Sequence, residues 1–271
     1  MLIACEQPSA VEYMSREPLH RAQRVVSLDY CADQYVLKLL DRDQILAVSP
    51  YADSTSSYMR EAAKGIAQVR SLAEDVLVLK PDLIVRSYGG GQNAQIFFEK
   101  AGIPVVQLGY AGDIDGIRTV LREAAVGLNA VDRAETIISE MDQRLLVLKQ
   151  SADDKTALYM TPGGVTSGPG SLIHEMLIAA GLSNFQQEPG WRALPLERLA
   201  YEQPDMIAAA FFDSKANNVD AWTAARHPIA RKQMAELETV YLQGAWTACG
   251  GWFLVDAIEA LAVVDKLETA P

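Results

Sequence analysis

Two glutamates occupy the same place in two copies of one phrase. Residues 71–85 read SLAEDVLVLKPDLIV and residues 194–208 read LPLERLAYEQPDMIA. In each, a glutamate (Glu74, Glu197) stands seven positions before a proline (Pro81, Pro204) that is followed by Asp and an apolar run. The helix dipole favours a carboxylate in a first helical turn, but aspartate, or any first-turn position, would satisfy it. Equivalent helix starts in two related lobes make Glu74 and Glu197 a matched pair, suited to a partner with two basic sockets.

The sulfur and imidazole chemistry is sparse. Cys5, Cys31 and Cys249 form no CxxC pair, and His20, His174 and His227 are scattered. This excludes a zinc ribbon and a disulfide-dense scaffold and leaves no intrinsic metal site to assign. Cys31 and Cys249 fall in loops of different halves. A thiol pair, a disulfide, two soft-metal ligands and two separately buried small side chains all fit that placement. Cys31 as a nucleophile would need a base, and the sequence assigns it none. GxGxxG, GxxxxGK[ST] and GxSxG are absent, so no dinucleotide fingerprint, P-loop or nucleophile elbow is present.

Aromatic residues gather where strands are expected to end. In open α/β sheets ligands bind outside the carboxyl ends of strands. Tyr30 follows Arg24–Leu28, Tyr51 follows Ile45–Val48, Tyr88 follows Leu83–Val85 and Tyr110 follows Val105–Leu108. Trp246 follows the strand at 240–242, and Trp191 lies in the second half ahead of the repeated phrase. With aromatics only 7% of the chain, their collection at one edge points to a cleft for a large, flat or partly apolar ligand. Tyr30, Cys31, Tyr51, Tyr88, Tyr110, Trp191, Trp246 and Cys249 are therefore the candidate ligand-contacting set.

The elements that must position them alternate between strand and helix, with connections too long for hairpins, which indicates parallel βα units. Proline cannot continue a helix, so Pro81 and Pro204 each end one before a buried strand. From Asp113 to Gln150 the pattern is helical, broken at Gly127-Leu128-Asn129. The segment TPGGVTSGPGS is expected to be loop, as is GAWTACGG before a last helix from Trp252 to Leu267. The expected architecture is α/β, two lobes each with a parallel-rich sheet flanked by helices, joined by one long helix. Its divisions are an N-terminal tether at 1–21, a lobe at 22–128, a linking helix at 129–152 and a second lobe at 153–271. MLIACEQPS contains a lipobox-like LIAC, with Cys5 as the expected lipidation site and the polar residues after it as a tether.

The chain has 271 residues and a formal net charge of −11 without any basic block, which gives nucleic acid no concentrated positive face to bind. No segment approaches the ~18–20 uninterrupted apolar residues of a membrane-spanning helix.

The order RVVSL, AEDVLVLKPDLIV, AGIPVV, a long linking helix and LERLAYEQPDMIA resembles the class III periplasmic binding proteins of ABC importers, over about residues 22 to 267. The resemblance implies a non-catalytic, monomeric periplasmic protein, lipid-anchored if Cys5 is modified, with no intrinsic cofactor. It implies a ligand of the cobalamin, ferric siderophore or haem type held between lobes joined by a rigid helix at about Val131–Gln150. It also implies a permease dimer whose arginines receive Glu74 and Glu197. Tyr51, in SPYAD, matches a corrin-contacting tyrosine, and Trp246 lies where the cobalamin binder also has a cleft tryptophan. The tryptophan that precedes the first docking glutamate in the cobalamin binder is missing. DYCADQ and WTACGG depart from both the cobalamin and hydroxamate patterns, so a different metal chelate remains open; Tyr30, Tyr88 and Tyr110 are the candidate haem ligands. The alternative is a metallocluster or chelatase-like enzyme using Cys31 and Cys249.

Overall fold

Short strands, the central ones mostly apolar and buried on both faces, organise the chain into two parallel sheets. The structure is a computed structural model that describes residues 21–148, 155–212 and 223–268. The tether, Cys5, and the expected end of the linking helix at Gln150 lie outside the described residues. The first half runs β1 (Val25–Ser27), α1 (Tyr30–Leu39), β2 (Ile45–Ala47), α2 (Arg60–Ala63), α3 (Ala73–Val78), β3 (Leu83–Arg86), α4 (Ala94–Lys100), β4 (Val105–Gln107), α5 (Ile114–Leu128) and α6 (Val131–Leu148). The second runs β5 (Thr156–Met160), β6 (Val165–Ser167), α7 (Leu172–Ala179), β7 (Ser183–Asn184), β8 (Trp191–Ala193), α8 (Leu196–Leu199), β9 (Met206–Ala210), α9 (Pro228–Glu236), β10 (Glu238–Leu242), α10 (Gly244–Thr247) and α11 (Leu254–Glu268).

The strand orders are β2-β1-β3-β4 and β7-β5-β9-β10, parallel throughout. Each is second, first, third, fourth among the strands of its own sheet, so the lobes are repeats of one topology. Two expectations need correction. TPGGVTSGPGS is not all loop: Val165–Ser167 pairs antiparallel with Trp191–Ala193 as a two-stranded ribbon. GAWTACGG contains a helical turn, α10. The rest of the alternation holds to within a few residues.

The repeated phrase does the same structural work in both lobes. It leads into the third strand, β3 or β9. Lys80 adopts a left-handed backbone, φ 52°, directly before Pro81, which turns the chain out of α3. The Asp82 carboxylate then accepts from the amides of Gln23 and Arg24 at 2.8 and 2.9 Å. Asp205 likewise accepts from the amide and hydroxyl of Thr156 at 2.6 and 2.7 Å. In each lobe the aspartate after proline ties the start of the third strand to the start of the first, and those bonds hold Asp205 below the usual carboxylate range.

Alternation along the strands separates two faces. Val26 and Ile84 pack outward with Val76 and Phe98, and Leu158 and Ile207 pack outward with Leu199. The inner faces belong to one cluster that includes Val25, Val85, α1, α5, α6, Tyr159, Ala208 and α11. The two lobes therefore share a core.

Polar links cross the same junction. Tyr35 donates to the Gly250 carbonyl at 2.9 Å and Tyr58 to Asp256 at 2.8 Å. Arg144 of α6 pairs with Asp256 and Glu259 of α11. Cys31 at the start of α1 and Cys249 after α10 form a disulfide, with Cα atoms 5.6 Å apart across 218 residues of chain. This removes the readings of these residues as free thiols, soft-metal ligands or separately buried side chains. A cross-link over so long a segment constrains the unfolded chain strongly. Cys31→Ser/Cys249→Ser is expected to lose about 2–5 kcal/mol of unfolding free energy; a urea midpoint equal to that of the oxidised parent would contradict it.

Candidate functional site

Strand order locates the crevice. Between β1 and β3 the connections leave in opposite directions, which separates the loops at the carboxyl ends and opens a binding crevice there. A hollow of about 460 Å³ lies at this point, lined by Asp29, Tyr30, Ser49, Tyr51, Leu72 and Tyr88 among others.

Asp29 builds it. One carboxylate oxygen caps α1 by accepting from Ala32 at 2.9 Å. The other accepts from the amides of Ser87, Tyr88 and Gly89 at 2.8, 3.1 and 2.9 Å. The loop after β3 is thereby held against the loop after β1. The approach is so close that a Cβ on Gly89 would lie 2.3 Å from the Leu28 carbonyl oxygen, which only glycine permits.

The rings of Tyr30 and Tyr88 meet edge-on with centroids 6.1 Å apart. Burial raises the pKa of Tyr30, with the nearby Asp29 charge adding to the rise and a hydrogen bond with Tyr88 opposing it. Tyr88 is raised further, by burial and then by Tyr30 and Asp29. Both remain neutral phenols at neutral pH and offer a ring face and a hydroxyl rather than a phenolate. Tyr51 completes the group at 66% exposure, its ring available to a ligand.

The other expected residues divide differently. Cys31 and Cys249 are joined beside the hollow, and the Tyr30 hydroxyl reaches the Ala248 carbonyl at 3.5 Å. The disulfide brings the second lobe to the edge of the site but leaves no thiolate for a ligand. Tyr110, 80% exposed, follows β4 and does not line this hollow. Trp191 packs edge-on against Tyr159 on the two-stranded ribbon. Trp246 lies half-buried on α10 against the shared core. Trp252 is buried between Tyr35 and Phe253.

Glu74 and Glu197 lie near the starts of α3 and α8, both exposed, with no hydrogen bond or ion pair among the described residues. Each of these helices precedes a strand that runs the opposite way, so its N-terminus lies at the ligand edge. Ser71 and Leu72, just before α3, line the hollow itself.

Three functional-looking polar residues were not singled out by sequence. Asp29 carried a legible signal, an aspartate directly before a helical pattern. Asp33 is wholly buried one turn later and accepts from the Ser49 hydroxyl at 2.6 Å and amide at 3.1 Å. Burial pushes its carboxyl up to about 6, against the opposing hydrogen bonds from Ser49 and Ser27. Arg86 ends β3, is 6% exposed, and its Nε has no hydrogen-bond partner among the described residues.

A profile of the periplasmic binding protein family matches residues 25–221. The cobalamin-binding protein of Halobacterium salinarum is 26% identical over 235 residues, which is 82% of this chain and 62% of that protein. The chain thus spans less than two thirds of that relative's length. The vitamin B12-binding protein of Pectobacterium atrosepticum is 27% identical over 217 residues, 74% of this chain and 76% of the relative. Among solved structures, the periplasmic haem-binding protein of Vibrio cholerae superposes with a TM-score of 0.70 at 18% identity, covering 92% of this chain and 99% of that one. The periplasmic vitamin B12-binding protein of the same organism gives 0.65 at 18%, covering 93% and 99%. At such identities the likeness is one of fold.

The raised pKa of Asp33 has a definite sign. The folded state holds its proton more tightly than the unfolded chain, so its contribution to stability is complete below about pH 4 and is lost as pH rises to about 6. Asp33→Asn keeps the side chain polar without that titration. Urea unfolding at pH 4 and pH 7 should show about 2–3 kcal/mol less pH-dependent loss in the variant than in the parent; parallel profiles would refute the assignment.

Proposed function

We propose, from the premise that this chain belongs to the periplasmic binding protein family, that it captures a metal chelate of the corrinoid or ferric-siderophore type and hands it to an ABC importer permease. The observation that carries the reading is the hollow at the β1–β3 switch point, where Tyr30, Tyr51 and Tyr88 converge. Neutral phenols around a concave apolar floor suit a large ligand with flat faces and a polar rim, through ring contact and hydroxyl hydrogen bonds. The named binding functions of the relatives, cobalamin, vitamin B12 and haem, are of that chemical kind. Arg86 adds a buried cation at the foot of the Tyr88 loop, suited to an anionic arm of such a ligand.

The role proposed is capture and presentation, in the periplasm and as a monomer, without catalysis. The enzyme alternative through Cys31 and Cys249 loses its chemistry, because both sulfurs are consumed in the disulfide. Tyr110, Trp191 and Trp246 remain proposed contacts from the rim of the cleft, outside the phenol group. Glu74 and Glu197, exposed and unpaired among the described residues, are proposed to dock on arginines of the permease dimer.

Titration of the protein with cyanocobalamin, haemin and a ferric hydroxamate, followed by tryptophan fluorescence and visible absorption, is expected to give saturable one-to-one binding with one of them. Tyr51→Ala and Tyr88→Ala should each weaken that binding about tenfold, the loss of ~1.4 kcal/mol of contact. Failure of all three to saturate, with the protein folded, would remove the chelate reading.

A further inference from the structure

The two glutamates are accompanied by a second repeated feature. Aligned on Glu74 and Glu197, the first, second and fourth following residues behave alike, while the third differs: Leu77 packs on its core and Ala200 is exposed. The next residue is pinned by an ion pair: Asp75 to Arg70 at 2.7 Å and Arg198 to Glu202 at 2.7 Å. The one after is core: Val76 and Leu199 pack on the outer face of their own sheet. The fourth residue after each glutamate is a large apolar side chain left in solvent: Val78 closes α3, one helical turn on from Glu74, and Tyr201 follows Ala200, the cap of α8. Val78 is 79% exposed and Tyr201 is 91% exposed. Singly exposed apolar residues are ordinary; what calls for an explanation is their recurrence at one register of a repeat, beside an unpaired carboxylate each time.

The phrase leaves little freedom for these side chains to turn inward. Val76 and Leu199 are buried, and Arg198 also donates to the Phe185 carbonyl at 2.6 Å and lies 3.9 Å over the Phe185 ring. With the inward face of each turn committed, residues at the glutamate register and one turn beyond are held outward. Each lobe thus presents a carboxylate near the start of its helix and, four residues on, an exposed apolar side chain.

Resting on the permease-docking reading, we propose that Val78 and Tyr201 are the apolar half of a duplicated docking footprint. Its occupant is a two-fold symmetric membrane permease that offers, at each of two sites, a basic group for the glutamate and an apolar pocket beside it. Charge complementarity names the first half of each site. Among the described residues the matched carboxylates have no ion-pair partner, so a basic group can pair with them without breaking one of those contacts. The apolar half removes water from around that pair, which strengthens it, and adds contact that salt does not screen.

The test is binding of the full-length protein to the cognate ABC permease in nanodiscs, measured at low and high salt. The variants are Val78→Thr/Tyr201→Ser, Glu74→Lys/Glu197→Lys and, as a control, Val126→Thr at an exposed apolar position on α5. Urea midpoints confirm folding. The inference expects the Val78/Tyr201 variant to lose tenfold or more in affinity at both salt concentrations, with its salt dependence retained and Val126→Thr unchanged. Parent-like affinity in the Val78/Tyr201 variant, with loss in the glutamate variant, overturns the inference and leaves glutamate docking standing. Parent-like affinity in the glutamate variant overturns the docking reading, and the footprint with it.

Discussion

A single buried carboxylate sets the geometry on which the ligand edge depends. Asp29 satisfies one amide at the start of α1 and three in the loop after β3. Four otherwise orphaned donors would each carry a desolvation cost if unpaired, so the two loops are held together by the same group that starts the first helix. Tyr30, next in sequence, and Tyr88, whose amide Asp29 holds, are thereby brought ring to ring. Leu28, just before, leaves room for no side chain at position 89. Remove the carboxylate, and the switch-point crevice has walls but no fixed separation between them.

The same short segment then fixes the second lobe. Cys31 follows Tyr30 and is bonded to Cys249, and Tyr35 on the same helix reaches the carbonyl of Gly250. Because the inner faces of both sheets belong to one apolar cluster, the lobes have no separate cores to retreat to. Wide opening would expose that cluster and strain the link beside Tyr30. The lobes are held together by covalent and apolar constraints, so a ligand bound between them would spend little of its binding free energy on closing them.

The alternation of strands and helices was legible because strands buried on both faces read as continuous apolar runs, and because proline marks where each helix must stop. The repeat was legible for the same reason, and the aspartates after Pro81 and Pro204 now have a common task in tying the third strand to the first. The ribbon of β6 and β8 was not legible: each strand is three residues long, and β6 lies among glycines and prolines that favour loop. The pairing of Cys31 with Cys249 was not legible either, since 218 residues of separation carry no register information and only the docking of the lobes brings the sulfurs together. Asp33 was missed because a carboxylate inside a helical pattern reads as a solvated face. Tyr30, Tyr51 and Tyr88 converge as strand-end reasoning expected, whereas Tyr110, Trp191 and Trp246 do not join them in the hollow.

The lobes share a topology but not a surface chemistry. At the first lobe's switch point the loops are tied by Asp29 and leave a hollow. The strand of the second lobe that corresponds to β3, β9, is followed by Phe211, which takes a left-handed backbone of φ 67°. That conformation is costly for a bulky residue and persists only where packing over-determines it. Here the ring lies against Gly244 at the start of α10, where a Cβ would sit 2.7 Å from the ring. The second lobe thus packs an aromatic of its own where its third strand ends, and it reaches the first through the Cys249 segment. The phenol-lined hollow belongs to the first lobe, and the second lobe is linked to its edge through the Cys31–Cys249 disulfide. Duplication persists at Glu74 and Glu197 and at the aspartates after Pro81 and Pro204; the aspartates are kept alike by the shared fold, and the glutamates are the pair that the proposed two-fold partner would require to remain alike and a single asymmetric ligand would not.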